Sequence, residues 1–69
     1  MPDMPDVLKR LAAYDPWMYG NTYAYIEAHA VAVSEPDKDH AAITLDDGRV
    51  EHIAHQEGGW SMWQTQKVL

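Results

Sequence analysis

The chain of 69 residues has no cysteine and no phenylalanine, and only five Lys and Arg against eleven Asp and Glu. Without cysteine there are no disulfides and no thiolate metal sites, which fits a reducing, cytoplasmic compartment. No run approaches the ~20 apolar residues of a membrane helix. The opening MPDMPDVLKR lacks a basic region followed by an apolar run, so no signal peptide is read there. The shortage of cations leaves a formal net charge of −6. That charge argues against direct binding of nucleic acid or of an anionic membrane, and it allows a basic partner or simply good solubility. A GxSxG elbow, a phosphate-cradling glycine loop and a Cys nucleophile are all missing, so neither enzyme activity nor a cofactor is expected.

What stands in place of phenylalanine is four Tyr and three Trp. Both types join an apolar body to a polar tip and are enriched at interfaces. A domain this small buries only ~60% of its unfolded surface, so amphipathic aromatics also suit a fold too shallow to hide any ring completely.

The most informative stretch is His40 to Gln64, which reads as two β-hairpins sharing a middle strand. Asp47-Gly48 lies between two apolar runs and is a strong hairpin signal, because a type I′ turn needs φ > 0 at both central residues. Gly58-Gly59 marks a second reversal. A two-residue Asp47-Gly48 loop pairs Leu45 with Val50 and Ile43 with His52, whereas a three-residue loop turns Arg49 and Glu51 toward the face of Leu45 and Ile43. Burial favours the first register, since a slip of one residue flips every side chain. The expected core face is then Ala41, Ile43, Leu45, Val50, His52, Ala54 and Trp63. The opposite face carries Thr44, Glu51, Ile53, His55, Trp60, Met62 and Gln64.

Ahead of the hairpins, Asp3 to Tyr14 reads as a helix with Asp3 as N-cap, Pro5 in the first turn and an apolar stripe through Met4, Val7, Leu8 and Leu11. Asp15-Pro16 ends it. Asp15 to Asn21 reads as a connection whose Trp17, Met18 and Tyr19 either plug the core or form a binding loop. Thr22 to Val33 is ambiguous; its alanines suit a helix, while its β-branched and aromatic residues favour a strand. Ser34 to Asp39 reads as a polar turn. The expectation is a single α+β domain over 1–69: an N-terminal helix (about 3–14) packed on a three- to four-stranded antiparallel meander (about 22–33, 40–46, 49–55 and 60–66).

Four histidines raise the question of a metal. His52 and His55 have HxxH spacing, but on a strand they point to opposite faces. Glu27 and His29 share a strand face without a third ligand at a defined spacing, so no metal site is expected. Asp46 and Asp47 are adjacent carboxylates at a hairpin tip, where water reaches them and nothing shifts their pKa toward acid-base work.

The remaining signal is the placement of charge. Turns alternate ends in a meander, so Glu35, Asp37, Asp39 and Glu57 gather at one end and Asp46 and Asp47 lie at the other, ~20 Å away for a six-residue strand. With Trp60 and Met62 as apolar anchors, these residues form a candidate partner-binding set for a basic surface of a nucleic-acid-binding protein. In size, charge and lack of motifs the chain resembles phage-encoded inhibitors of host defence, including anti-CRISPR proteins that mimic DNA. The likeness is one of composition. It implies an inhibitor that occludes a partner's nucleic-acid-binding surface, as a monomer or weak homodimer. The alternative is an interaction module that associates through the face of Ile53, Trp60 and Met62.

Overall fold

A computed structural model describes residues 3–66. Two helices, α1 (Asp6–Tyr14) and α2 (Pro16–His29), precede four strands, β1 (Ala30–Asp37), β2 (His40–Leu45), β3 (Arg49–Gln56) and β4 (Gly59–Gln66). The strands form one antiparallel sheet in the order β1-β2-β3-β4. The α+β class is as expected, with one more helix than the sequence pattern indicated.

α1 starts three residues later than its expected cap. Met4 precedes a proline, which disfavours helix at that position, and Pro5 (φ −68°, ψ 152°) is the N-cap residue in place of Asp3. The Pro5 carbonyl accepts from Leu8 and Lys9 at 3.1 and 3.2 Å. The Asp6 amide, which has no partner within the helix, donates to Glu35 Oε2 on β1 at 3.1 Å. A carboxylate there also meets the positive end of the helix dipole.

The segment expected to be a loop and then a strand is α2. Asp15 ends one helix and starts the next: its amide donates to Leu11 O at 3.1 Å, and its side chain accepts from Met18 N at 3.1 Å, with Pro16 at the first helical position. That is the arrangement of a capped helix start. The alanines of Thr22 to His29 then propagate the helix. Extended backbone begins only at Ala30, where Val31 and Val33 alternate with alanine. Ser34 to Asp37 therefore belongs to β1, and the turn shrinks to Lys38-Asp39. Pro36 is tolerated because β1 is an edge strand, and its pairing with β2 is irregular on either side of the Ala32–Ser34 segment.

The first hairpin adopts the register that burial had argued against. Its loop is Asp46-Asp47-Gly48: Gly48 N donates to Leu45 O at 3.0 Å and Gly48 takes φ 91°. This is a type I turn closed by a residue in the left-handed region, a conformation glycine adopts without strain. Asp47 Oδ1 accepts from Arg49 N at 3.0 Å and holds the exit. Ile43 consequently faces Glu51, and Ala41 faces Ile53. The β2 half of the expected core face stands, and the β3 and β4 halves exchange. Glu51, Ile53, Met62 and Gln64 lie on the helix side, whereas Val50, His52, Ala54 and Trp63 lie on the open side, where Ala54 is nonetheless buried at 1% exposure. The parity of β3 against β4 is as expected, and His52 stacks on Trp63 at 5.2 Å. Ile53, expected on an exposed association face, is 1% exposed beneath the helices.

The core is Met4, Val7, Leu8 and Leu11 from α1 and its approach, Ile26 from α2, and Ala41, Ile43, Leu45 and Ile53 from the sheet. Each of its larger aliphatic side chains contributes about 1.5–3 kcal/mol by leaving water. The register makes unequal demands on neighbours in β3. Ile53→Ala should cost about 2–5 kcal/mol. Val50→Ala, on the open face, should cost under about 1.5 kcal/mol. Urea unfolding of the two variants ranks them, and the reverse order would restore the two-residue loop.

Candidate functional site

Three features lie outside the core: an acidic end, an aromatic corner and a polar cleft. The acidic end collects Asp37, Asp39 and Glu57 at the β1–β2 and β3–β4 turns, with Glu35 nearby on β1. Arg10 organises it. Its Nε donates to Asp6 Oδ2 at 2.9 Å and its Nη2 donates to Asp39 Oδ1 at 3.0 Å and to the Lys38 carbonyl. The same guanidinium lies over the Trp60 ring at 5.9 Å. Asp39 is held below the ordinary carboxylate range, chiefly by Arg10, with His55 at 3.7 Å adding a smaller pull. Asp37 is lowered by its contact with His40 Nδ1 at 2.8 Å and by the Asp39 amide.

At the opposite end, Asp46 meets His29 Nδ1 at 2.8 Å and its amide donates to His29 O at 2.9 Å, which ties the end of α2 to the hairpin. Asp47 is lowered by the Arg49 amide and by Arg49 Nε at 2.7 Å. Five of the six expected acidic residues are thus fixed by internal bonds; Glu57 makes none among the described residues. These contacts immobilise the carboxylates without hiding them, and the Asp37 side chain remains 56% exposed. Trp60 and Met62, expected as surface anchors, are half-buried against the core.

The aromatic corner was placed in a loop by sequence reasoning and is in fact where α1 meets α2. Trp17 is 96% exposed, Tyr14 71% and Met18 62%. Tyr14 packs at 6.0 Å from Trp60, which sits two residues past the Glu57-Gly58 turn. The corner is therefore continuous with the acidic end. The sequence signal for it was the DPWM run itself: an Asp-Pro helix start pins the next two residues to the first turn, where the partner helix does not cover them.

The cleft lies between α2 and the β3–β4 hairpin, with a volume of about 580 Å³. Tyr19, Thr22 and Tyr25 line one side, and Arg49, Glu51, Met62 and Gln64 the other. Glu51, only 5% exposed, is the buried charged residue of the described chain. Its cross-strand neighbour Gln64 donates to Oε1 at 2.5 Å. Arg49 Nη2 donates to Tyr25 Oη at 2.6 Å. Burial pushes the Glu51 carboxyl above the ordinary value, against smaller opposing pulls from Arg49 and Gln64. Glu27 and His29 lie on α2, not on a strand. Among the described residues no three His, Asp or Glu side chains are grouped to hold a metal ion, and no helix is long and apolar enough to cross a membrane.

No family model matches the chain, and neither a curated protein nor a solved structure matches it.

The raised Glu51 carboxyl has a sign that can be read in stability. The folded state holds this proton more tightly than the unfolded chain, so its contribution is present at low pH and is lost as pH rises through the raised midpoint. Asp37, Asp39 and Asp47 act in the opposite sense: their contribution is present above the ordinary range and fades as pH falls through their lowered midpoints. Glu51→Gln keeps the acceptor for Gln64 and removes only the desolvated charge. Its melting temperature should exceed that of the parent at pH 7, and the gap should close below about pH 4. A gap that widens on acidification would contradict the assignment.

Proposed function

We propose that this protein is a small acidic binding protein, not an enzyme. Its partner on this reading is a Lys/Arg-rich surface of a nucleic-acid-binding protein, which it occludes in the manner of phage-encoded anti-defence inhibitors that mimic DNA. The observation that carries the reading is Trp17, 96% exposed at the corner where α1 meets α2, beside Tyr14 and Met18 and continuous with the acidic end. A large aromatic anchor with charges at its rim is the usual anatomy of a protein interface. Both arginines of the described chain are spent on internal carboxylates, so few cations offset the outward field. The reading assigns the protein to the cytoplasm, as a monomer or weak homodimer.

Scale limits how literal the mimicry is. Six net charges spread along a 33 Å body amount to roughly one per 5–6 Å, against one per ~1.7 Å of duplex DNA. The protein would fill a few phosphate-binding positions at its ends, while the aromatic corner supplies the apolar contact that DNA lacks.

The two parts predict separable kinetics. Reversing rim charge in Asp37→Lys with Glu57→Lys should slow association and flatten its salt dependence. Trp17→Ala should leave association nearly unchanged and raise the off-rate by ~10-fold or more, the effect of losing a 1.4 kcal/mol anchor. The partner captured on the immobilised protein at low salt, then challenged with duplex DNA, provides the test. Mutual exclusion is expected; simultaneous binding with unchanged affinities would remove the mimicry.

A further inference from the structure

We propose that the cleft between α2 and the β3–β4 hairpin is a binding site for the cationic head of a basic side chain, a guanidinium or primary ammonium group, with Glu51 as its counter-ion. The inference deepens the acidic-binding reading and rests on it only for the source of that side chain, a partner's Lys or Arg.

Glu51 is buried, yet only one of its oxygens is used by the protein: Oε1 accepts from Gln64 at 2.5 Å, and Oε2 has no partner among the described residues. No enclosed side-chain polar atom of the described residues is left unpaired, so Oε2 is within reach of solvent, and Glu51 is one of the residues that line the cleft. A desolvated carboxylate with a free oxygen in a concave site is a strong acceptor for a charged donor, because little water screens the pair. The cleft volume of about 580 Å³ is within the ~300–1,000 Å³ range of small-ligand sites. Tyr19 and Met62 form apolar walls suited to a methylene stem, and the Tyr19 ring suits a cation near an aromatic face, whereas the Tyr25 ring is already covered by Arg49 at 5.6 Å.

Arg49 lines the same cleft and is the obvious objection. Its charge is matched by Asp47 at 2.7 Å, and one Nη2 proton is committed to Tyr25 Oη. Asp47, Arg49 and Glu51 together leave one negative charge, that of Glu51. An anionic ligand would have to approach this desolvated carboxylate, so the cleft selects against it.

The test uses Nα-acetyl-L-arginine amide as the probe, titrated into the full chain and followed by NMR. Saturable shifts are expected at the Met62 methyl, the Gln64 side-chain amide and the Tyr25 ring, with Kd on the order of 1 mM for a ligand of this size. The uncharged citrulline analogue should not saturate these signals. Glu51→Gln should weaken the probe at least tenfold while its spectrum stays that of the folded chain. Equal binding to Glu51→Gln, or shifts confined to the Asp37 and Glu57 end, would overturn the inference and leave the proposed function standing. Saturable cleft binding by a protein that does not compete with DNA would support the inference and remove the proposed function.

Discussion

The turn at Asp46-Asp47-Gly48 is the constraint on which the rest depends. Three residues in this loop, not two, set the pairing of β2 with β3, and period-two alternation carries that choice through both remaining strands. Gly48 makes it possible by accepting φ 91°, and Asp47 secures it through the Arg49 amide and guanidinium. One consequence is Ile53 beneath α1. Another is Glu51 beneath the helix layer, at a position α2 does not close. A third is the open face, where His52 and Trp63 stack in place of a core. A single added residue in a turn thus decides which side chains form the core and whether the molecule has a cleft at all.

Much of the β-region was legible because its signals are local. Asp-Gly and Gly-Gly mark reversals whatever surrounds them, and the ends of β2, β3 and β4 fall within a residue or so of those signals. Register was not legible, because it was judged by burial alone. A charged residue facing inward looks prohibitive until its neighbours are known. Here Glu51 has Gln64 directly across the ladder and lines the cleft that α2 leaves open, so the cost is partly compensated and partly avoided. α2 was missed for a related reason. Asp15-Pro16 terminates helices and also starts them, and the strand propensity of Tyr23 and Tyr25 competes with the helix propensity of the neighbouring alanines. Once Asp15 accepts from Met18 N, the helix is nucleated and the alanines extend it. The acidic end was legible from topology, but the internal partner of each carboxylate was not, since Arg10 meets Asp39 across 29 residues.

The molecule deals with its charge by fixing it. Arg10 ties α1 to the β1–β2 turn, and Arg49 ties the first hairpin to Tyr25 of α2. His29 and His40 each hold an aspartate at 2.8 Å. Exposed pairs of this kind contribute little stability individually. Their effect is to hold negative groups in set positions at both ends of the sheet; on the proposed reading this lowers the entropy cost of meeting a basic surface. Three of the exposed large apolar side chains, Tyr14, Trp17 and Met18, meet at one corner beside that charge, while Tyr25, Val31 and Trp63 lie elsewhere on the surface.

The most direct check on this account is the titration of the Glu51 carboxyl, read by its side-chain carbon-13 shift across the acid range. A turn that directs Glu51 under the helix layer predicts a midpoint above the ordinary glutamate value of about 4.3, reported also by the Gln64 side-chain amide that donates to it. A midpoint at or below that value would mean that Glu51 faces water, that the two-residue register is the true one, and that the cleft does not exist.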